Sequence, residues 1–310
     1  MKQSEQGPDG ERAGWLPIRE VARLTGVNPV TLRAWERRYG LVVPRRTAKG
    51  HRLYDQDQVQ RIHDILTWLN RGAAVSQVKG LLDAPQPTAT DEHSPWSGLR
   101  DTQLAAVAKL AERSLDESLN DAMALYPPRT LCEHLLLPLL DALERRWQGQ
   151  YGAQLERVFF YSWLRSKFGA RLYHHNRQQP GAPLLLVNLS ERPMEPGLWL
   201  SAWLISSVDC PVEVLDWPVP LGELRLAQER IAPRAVLLYS SQALELGLLR
   251  QLPRAVEQSP VPVVLGGAAA RIHGSELGDI ESLELADDPL QAFALLDRHG
   301  LFQRHAGPAP

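Results

Sequence analysis

The hydrophobic and polar positions of the first forty residues predict two short helices joined by a tight turn. Apolar residues recur at helical spacing over 18–24, and Thr25-Gly26-Val27 then interrupts the pattern. Asn28 is a good N-cap, and Pro29 stands at the first helical position, where its missing N–H costs nothing. A second helix is therefore predicted over 30–39, in the helix-turn-helix arrangement.

The next stretch has the pattern of a small β-hairpin followed by two more helices. Arg45-Arg46 and the run 50–54 flank the connection Thr47-Ala48-Lys49, so both arms of the hairpin carry cations. Asp55 is placed to cap a third helix, and a fourth short helix is predicted over 75–82. The hairpin, residues 45–54, is called the wing below.

The rest of the chain changes its period once. Helical spacing dominates over 99–176, with a break at Pro127-Pro128, and predicts a four-helix bundle. From residue 182 onward, short β-rich runs alternate with helical stretches, which predicts a parallel sheet with helices on both faces. The predicted strands are 184–189, 212–215, 235–239 and 261–265, and the predicted helices between them are 198–206, 221–231 and 244–256.

These patterns predict a multidomain protein of the α and α/β classes, with a winged helix-turn-helix, a four-helix bundle and a flavodoxin-like domain. The segment 84–98 is rich in Pro, Thr and Ser and is interpreted as an interdomain linker. The predicted boundaries are a disordered tail at 1–14, the winged domain at 15–83, the linker at 84–98, the bundle at 99–178, the flavodoxin-like domain at 182–300 and a tail at 301–310.

Charge is unevenly distributed along the chain. The net charge is −2, but residues 15–82 carry +7 and the remainder −9. A basic head on an acidic body indicates that the head meets a polyanion such as DNA and the body does not.

No apolar run approaches the length of a membrane span, and the polar start is neither a secretory signal nor a transit peptide. With only Cys132 and Cys210, far apart, a reducing cytoplasm is expected, with the protein at the nucleoid and not at a membrane.

The residues of the head carry a family resemblance. The run NPVTLRAWERRYGL over 28–41, followed by RRTAKGHRLY over 45–54, resembles the DNA-binding domain of the MerR superfamily. Within that superfamily the chain is most similar to MlrA-type regulators of curli and biofilm genes, and next to CarH-type light-sensing, cobalamin-dependent repressors. The resemblance implies DNA contacts by Thr31, Arg33, Arg37 and Arg38 on the second helix and by Arg45, Arg46, Arg52 and Tyr54 on the wing.

Other residues of the head have blander interpretations. Leu32, Trp35, Val59 and Ile62 are expected in the core. Glu36 either pairs with an arginine or accepts a hydrogen bond from a cytosine, and pairing is favoured.

In the body, five tryptophans either line a pocket or belong to the core, and the core is favoured. They are Trp147, Trp163, Trp199, Trp203 and Trp217.

The order of bundle and flavodoxin-like domain is that of the CarH-type regulators, in which the two domains hold a cobalamin between them. The family's lower-ligand motif, E/D-x-H-x-x-G, falls on 191–197 with one extra residue before the ligand position. Counting back from Gly197, which closes the motif, puts Met194 in place of the cobalt-ligating histidine. A thioether is a poor substitute for imidazole as a cobalt ligand. The sequence therefore predicts no cofactor, although the cleft that would hold one is retained in outline.

Further positions of this degenerate cleft follow from the same resemblance. The bundle motif falls on Trp147 and Glu156, but Arg157 follows in place of histidine. The loops that would cradle the cofactor's tail retain Ser240, Gly266 and Gly267. No catalytic triad, carboxylate pair or phosphate loop is present, no metal site is expected, and the protein is predicted not to be an enzyme.

Three functional classes remain open for the body behind a DNA-binding head. The resemblance favours a promoter-binding, homodimeric activator that acts on RNA polymerase. In this class the cofactor-free body takes its input from protein partners such as cyclic-di-GMP signalling proteins. The alternative is a repressor that senses cobalamin or another small molecule. A cobalamin-carrying enzyme module is disfavoured, because a DNA-binding head has no place in it.

Overall fold

The computed structural model describes residues 15–83, 95–149 and 151–302, except for the side chain of Asp83. The tail predicted at 1–14, the linker residues 84–94 and residues 303–310 lie outside this range. The chain forms two compact units. Among the described residues, one unit contains those up to 103 together with 113–135, and the other contains 104–112 together with those from 136 onward.

The head begins with eight short elements, and local capping explains where its helices start. The Asn28 side chain accepts a hydrogen bond from the Thr31 amide at 2.8 Å, with Pro29 following it, and Asp55 and Gln58 form a reciprocal capping box. The elements are β1 (Leu16–Pro17), α1 (Ile18–Thr25), α2 (Pro29–Ala34), a π-helical turn (Trp35–Tyr39), β2 (Arg45–Arg46), β3 (Arg52–Tyr54), α3 (Gln56–Asn70) and α4 (Val75–Asp83).

The wing belongs to a three-stranded antiparallel sheet with the strand order β1-β3-β2. Pairing of Arg46 with Arg52 forms the predicted hairpin, and pairing of Leu16 with Tyr54 adds a strand that the sequence pattern does not predict. The pattern fails for β1 because a two-residue strand shows no alternation. Its existence depends only on the partner strand.

Four helical segments fill residues 95–176, and they run slightly longer than predicted. They are α5 (Pro95–Ala108), α6 (Glu112–Leu125), a third segment made of α7 (Pro128–Leu131), a π-helical turn (Cys132–Leu136) and α8 (Leu137–Arg146), and α9 (Ala153–Asn176). Residues 95–98, assigned to the linker from their composition, form the first turn of α5 instead. The reason is Trp96, which is buried and donates its indole N–H to the Gly72 carbonyl at 3.1 Å.

The head is joined to α6 and α7 within one compact unit. Trp35 is fully buried and donates its indole N–H to the carbonyl of Leu125, at the end of α6, at 2.8 Å. The Thr130 hydroxyl donates to the Asn70 side-chain oxygen at 3.1 Å, so the end of α3 is also held. The helix that carries the basic residues is therefore anchored to a helix outside the winged domain.

The last part of the chain is a five-stranded parallel sheet with helices between its strands. The strand order is β5-β4-β6-β7-β8. The first strand, β4, therefore has neighbours on both sides, and the order in which strands are added to the sheet reverses there, as in flavodoxin-like folds. The elements are β4 (Leu184–Asn188), α10 (Pro196–Ser206), β5 (Val212–Leu215), a 3₁₀ turn (Leu221–Glu223), α11 (Leu224–Ile231), β6 (Val236–Tyr239), α12 (Leu246–Glu257), β7 (Val263–Gly266), α13 (Ala268–Ile272), α14 (Gly274–Leu277), β8 (Leu283–Ala286) and α15 (Pro289–Arg298).

The sheet confirms the predicted fold class and adds to it. All four predicted strands are present within one or two residues, while β8 and the three helices α13 to α15 were not predicted. Asp288 caps α15 by accepting from the amides of Leu290 and Gln291, a signal that was available in the sequence. Within the described part of the chain, the helices are too short or too polar to span a bilayer.

Candidate DNA-binding surface and cofactor cleft

The second helix of the head presents a row of free cations. Arg33, Arg37 and Arg38 are exposed, and within the described residues their guanidinium groups make no hydrogen bond or ion pair. Two of them stand on the π-helical turn Trp35–Tyr39, which Gly40 ends in the left-handed conformation at φ +57°. Isolated π-helical turns are frequent at functional sites, because they re-aim side chains relative to a regular helix. The three guanidinium groups are free to bind phosphates or base edges.

Two of the predicted DNA contacts are not on this surface. Thr31 is fully buried because it lies one turn before Trp35, on the face of the helix that packs into the core. Tyr54 is 1 % exposed, and burial raises the pKa of its phenol to about 12. Neither hydroxyl has a hydrogen-bond partner among the described residues. The placement of Thr31 and Tyr54 at a DNA interface is therefore wrong for the conformation seen here.

Glu36 joins the second helix to the wing. Its carboxylate accepts a hydrogen bond from Arg46 at 2.7 Å and a second from Arg52. Burial alone would raise the pKa of Glu36, but the hydrogen bonds from Arg52 and Arg46 outweigh it and hold the pKa below its usual value of 4.5. The favoured interpretation, pairing with arginine, is confirmed. Arg45 remains exposed, with its guanidinium 5.5 Å from the ring centre of Trp15.

In the flavodoxin-like domain, Tyr239 at the end of β6 covers Gly197 of the ligand motif and also Gly266 and Gly267, the two glycines expected to cradle a cofactor. A Cβ added to Gly197 would meet the Tyr239 hydroxyl at 1.8 Å, and one added to Gly266 would meet the Tyr239 ring at 2.8 Å. At Gly267, where φ is +91°, it would meet the Ser240 carbonyl at 2.4 Å and the ring of Tyr239 at 3.0 Å. The space beside all three glycines is thus occupied by one phenol ring.

The remaining positions of the degenerate cleft are also engaged by their own neighbours. Trp147 donates its indole N–H to Glu156 at 3.0 Å, and Arg146 grips both oxygens of the same carboxylate at 3.0 Å each. The hydrogen bond from Arg146 is the main cause of a lowered pKa at Glu156. Ser240 is buried with its hydroxyl bonded to the Gln242 carbonyl, and Met194 is buried as well. Tyr239 thus lies beside the glycines, and histidine is absent from both positions where the resemblance places a cobalt ligand.

An open cleft of about 440 Å³ remains between α9 and the loops that follow β4 and β5. Arg157 and Arg165 enter it from α9, Arg192 and Met194 from the first loop, and Trp217 from the second. Of the five tryptophans considered above, Trp217 is 61 % exposed and the other four are buried. The sequence pattern did not predict Arg165, Arg192 or Tyr239 at a site, and it marked Arg157 only as a departure from the family's histidine. Helical spacing of Arg157, Tyr161 and Arg165 on one face of α9 was the available signal for the cleft.

Two protein-family models match this chain, one over the winged head and one over the helical bundle. Residues 16–85 match the family described as MerR HTH family regulatory protein, and residues 99–171 match the family described as B12 binding domain. A cobalamin-binding protein of known structure from Desulfitobacterium hafniense aligns with 64 % of this chain and 97 % of its own, at 15 % identity and a TM-score of 0.33. That TM-score is too low to support an argument.

Two curated relatives cover much of the chain. The HTH-type transcriptional repressor CarH of Myxococcus xanthus is 29 % identical over 83 % of this chain and 90 % of its own length. The HTH-type transcriptional regulator MlrA of Escherichia coli K12 is 33 % identical over 64 % of this chain and 78 % of its own length. With this level of identity across the winged head and the body behind it, the chain belongs to the MerR family of helix-turn-helix transcription regulators.

Proposed function

We propose that this protein is a sequence-specific regulator that binds promoter DNA as a homodimer, at an inverted repeat. The observation that carries the proposal is the row of free, exposed arginines on a capped second helix, Arg33, Arg37 and Arg38, beside a cationic wing. Guanidinium groups make bidentate contacts to guanine edges and grip phosphates. Two-fold protein symmetry would match the two half-sites of the operator.

The proposed mode is activation. MerR-type activators distort a promoter whose spacer is too long, so that RNA polymerase can engage it, and DNA deformability then acts as the switch. The hydrogen bond from Trp35 to Leu125 links the DNA-reading helix to α6 within one unit, which gives the body a route to the head in this mode. The protein would act at the nucleoid. Its input would come from protein partners of the body, for which cyclic-di-GMP signalling proteins are the proposed class.

We further propose that the body works without cobalamin. Tyr239 occupies the space beside Gly197, Gly266 and Gly267, and Met194 and Arg157 stand where the family's histidines would. After incubation with adenosylcobalamin in the dark and desalting, the purified protein is expected to be colourless. A retained absorption band that changes on illumination, together with a change in oligomer size, would overturn this part of the proposal.

A second candidate is a regulator, repressor or activator, whose body senses a different small molecule. The open cleft beside Arg157, Arg165 and Arg192 favours it, since ligand sites are concave and carry a few convergent polar groups. The two candidates share the DNA-binding head and differ only in the input.

Selection from a random duplex library tests the shared claim. The full-length protein is expected to enrich one inverted repeat, and Arg37→Ala is expected to lose that enrichment. Arg230→Ala, which changes an exposed arginine of the body, is the matched control and should enrich the same repeat as the wild type. A selection in which no sequence is enriched by the wild type would refute sequence-specific binding.

A further inference from the structure

We propose that the cleft between α9 and the loops after β4 and β5 binds a small organic anion, one that joins a carboxylate or phosphate group to a flat apolar ring. The inference deepens the second candidate function, because it assumes that the body is a ligand sensor. The arginines Arg157, Arg165 and Arg192 would hold the anionic group, and Trp217 would stack on the ring.

The first support is the charge of the cleft wall. Three arginines line the cleft, and no Asp or Glu side chain lines it within the described residues. Arg157 and Arg165 lie eight residues apart on α9, so they share one face, and Arg192 comes from the loop across the cleft. Guanidinium groups converging from two sides match carboxylate and phosphate, which they bind bidentately.

The second support is that the ion pairs with neighbouring carboxylates leave some guanidinium donors of these arginines available to a ligand. Glu144 serves two arginines at once, with Arg157 at 2.9 Å and Arg192 at 3.6 Å, and it also accepts a hydrogen bond from Tyr161. The separation from Arg192 is longer than a hydrogen bond, so the guanidinium donors of Arg192 remain available to a ligand. Arg165 pairs with Asp216 at 2.7 Å and still has 48 % of its side chain exposed. Two carboxylates thus face three guanidinium groups.

The third support is the apolar part of the wall. Trp217 is 61 % exposed and Val158 is 52 % exposed, and both line the same cleft as the arginines. Burying such a surface under a ring is favourable, and an indole next to guanidinium groups suits a flat anion. The volume of about 440 Å³ lies in the range of small-ligand pockets. The glycine cradle closed by Tyr239 cannot extend the site, so the ligand is limited to the open part.

The fluorescent dye 8-anilinonaphthalene-1-sulfonate, which joins aromatic rings to one anionic group, is a suitable probe for the full-length protein without DNA. One saturable site per chain is expected. Arg192→Gln is expected to weaken dye binding and to raise the dissociation constant about tenfold, as for loss of one charge-assisted hydrogen bond. Trp217→Ala is expected to weaken it as well, and Arg230→Gln should leave it unchanged. These variants should fold, because the side chain of Arg192 is 33 % exposed and that of Trp217 is 61 % exposed. In Arg192→Gln, Glu144 also keeps Arg157 as its ion-pair partner.

Equal dye affinity in Arg192→Gln, Trp217→Ala and Arg230→Gln would overturn the proposal. Competition then identifies the ligand class. Displacement by benzoate at a lower concentration than by inorganic phosphate supports a flat apolar part, and equal displacement by both contradicts it. Operator binding by the same variants is measured separately. Loss of dye binding with normal operator binding supports the cleft, whereas absence of operator binding in the wild type would refute the proposed function and leave the ligand result standing.

Discussion

Glu36 on the second helix of the head accepts a hydrogen bond from Arg46 on the wing, at 2.7 Å. Arg52, on the neighbouring strand, donates to the other oxygen of the same carboxylate. One side chain of the helix therefore holds both paired strands of the hairpin. This contact fixes the wing relative to the free arginines Arg33, Arg37 and Arg38, so that both can meet one stretch of duplex DNA.

Glu36→Gln is expected to destabilise the head. Glu36 is only 15 % exposed, and its replacement removes two charge-assisted hydrogen bonds, so we expect a loss of about 1–2 kcal/mol in the free energy of unfolding. Glu20→Gln is the matched control, because it removes the exposed Glu20–Arg23 pair and is expected to have no measurable effect. Urea denaturation of the two variants would compare them. Equal stability would contradict the role given to Glu36.

The same contact predicts a pH dependence. The pKa of Glu36 is lower in the folded than in the unfolded protein, so folding is favoured by its ionised form. Its contribution should be fully present above the unfolded-state pKa, near 4.5, and should be lost as the pH falls through the lower folded-state value. The stability difference between the wild type and Glu36→Gln is therefore expected to be constant at neutral pH and to shrink below pH 4.5. A difference that grows as the pH falls would contradict this assignment.

Tyr54→Phe is expected to leave DNA binding unchanged. The Tyr54 hydroxyl is buried and has no hydrogen-bond partner among the described residues, so its removal should be neutral or should stabilise the head by up to about 1 kcal/mol. Operator affinity and thermal unfolding of this variant are the measurements. A clear loss of affinity with normal stability would mean that the ring turns outward on DNA, as the family resemblance implied.

Gly197→Ala is expected to destabilise the flavodoxin-like domain. The new Cβ would overlap the Tyr239 hydroxyl, and overpacking of this kind costs about 1–3 kcal/mol. Gly169→Ala is the control, because its Cβ would lie 3.7 Å from the Trp199 ring and alanine is the better helix former. In a double-mutant cycle, Tyr239→Leu should relieve part of the cost at Gly197. Additive effects would show that Tyr239 does not cover this glycine in solution.

Local chemistry made much of the head predictable. Asn28 with Pro29, and Asp55 with Gln58, place helix starts by hydrogen bonds between residues close in sequence, and the structure has helices there. The basic hairpin was predictable for the same reason. Thr31 was misplaced because it was taken over from the family resemblance, although it shares a buried helix face with Trp35.

The cleft was less predictable, because it depends on contacts between distant parts of the chain. Tyr239 precedes Ser240 in an apolar strand, and nothing nearby in sequence shows that its ring reaches Gly197 and Gly266. Similarly, α9 and the loops at Arg192 and Trp217 meet only after the sheet has formed. The departure of Met194 from the ligand motif can be read from the sequence itself, but the contact between the glycines and Tyr239 appears only in three dimensions.

Binding of Arg37→Ala to the selected operator and to a random duplex, compared at one salt concentration, tests the central claim most directly. If Arg37 contacts a base, the variant should lose about 1–3 kcal/mol on the operator and much less on the random duplex, so the specificity ratio falls. Arg46→Ala, if Arg46 grips phosphate, should weaken both duplexes about equally, and Arg230→Ala should change neither. Negligible effects of both Arg37→Ala and Arg46→Ala would contradict the placement of the second helix and wing on DNA.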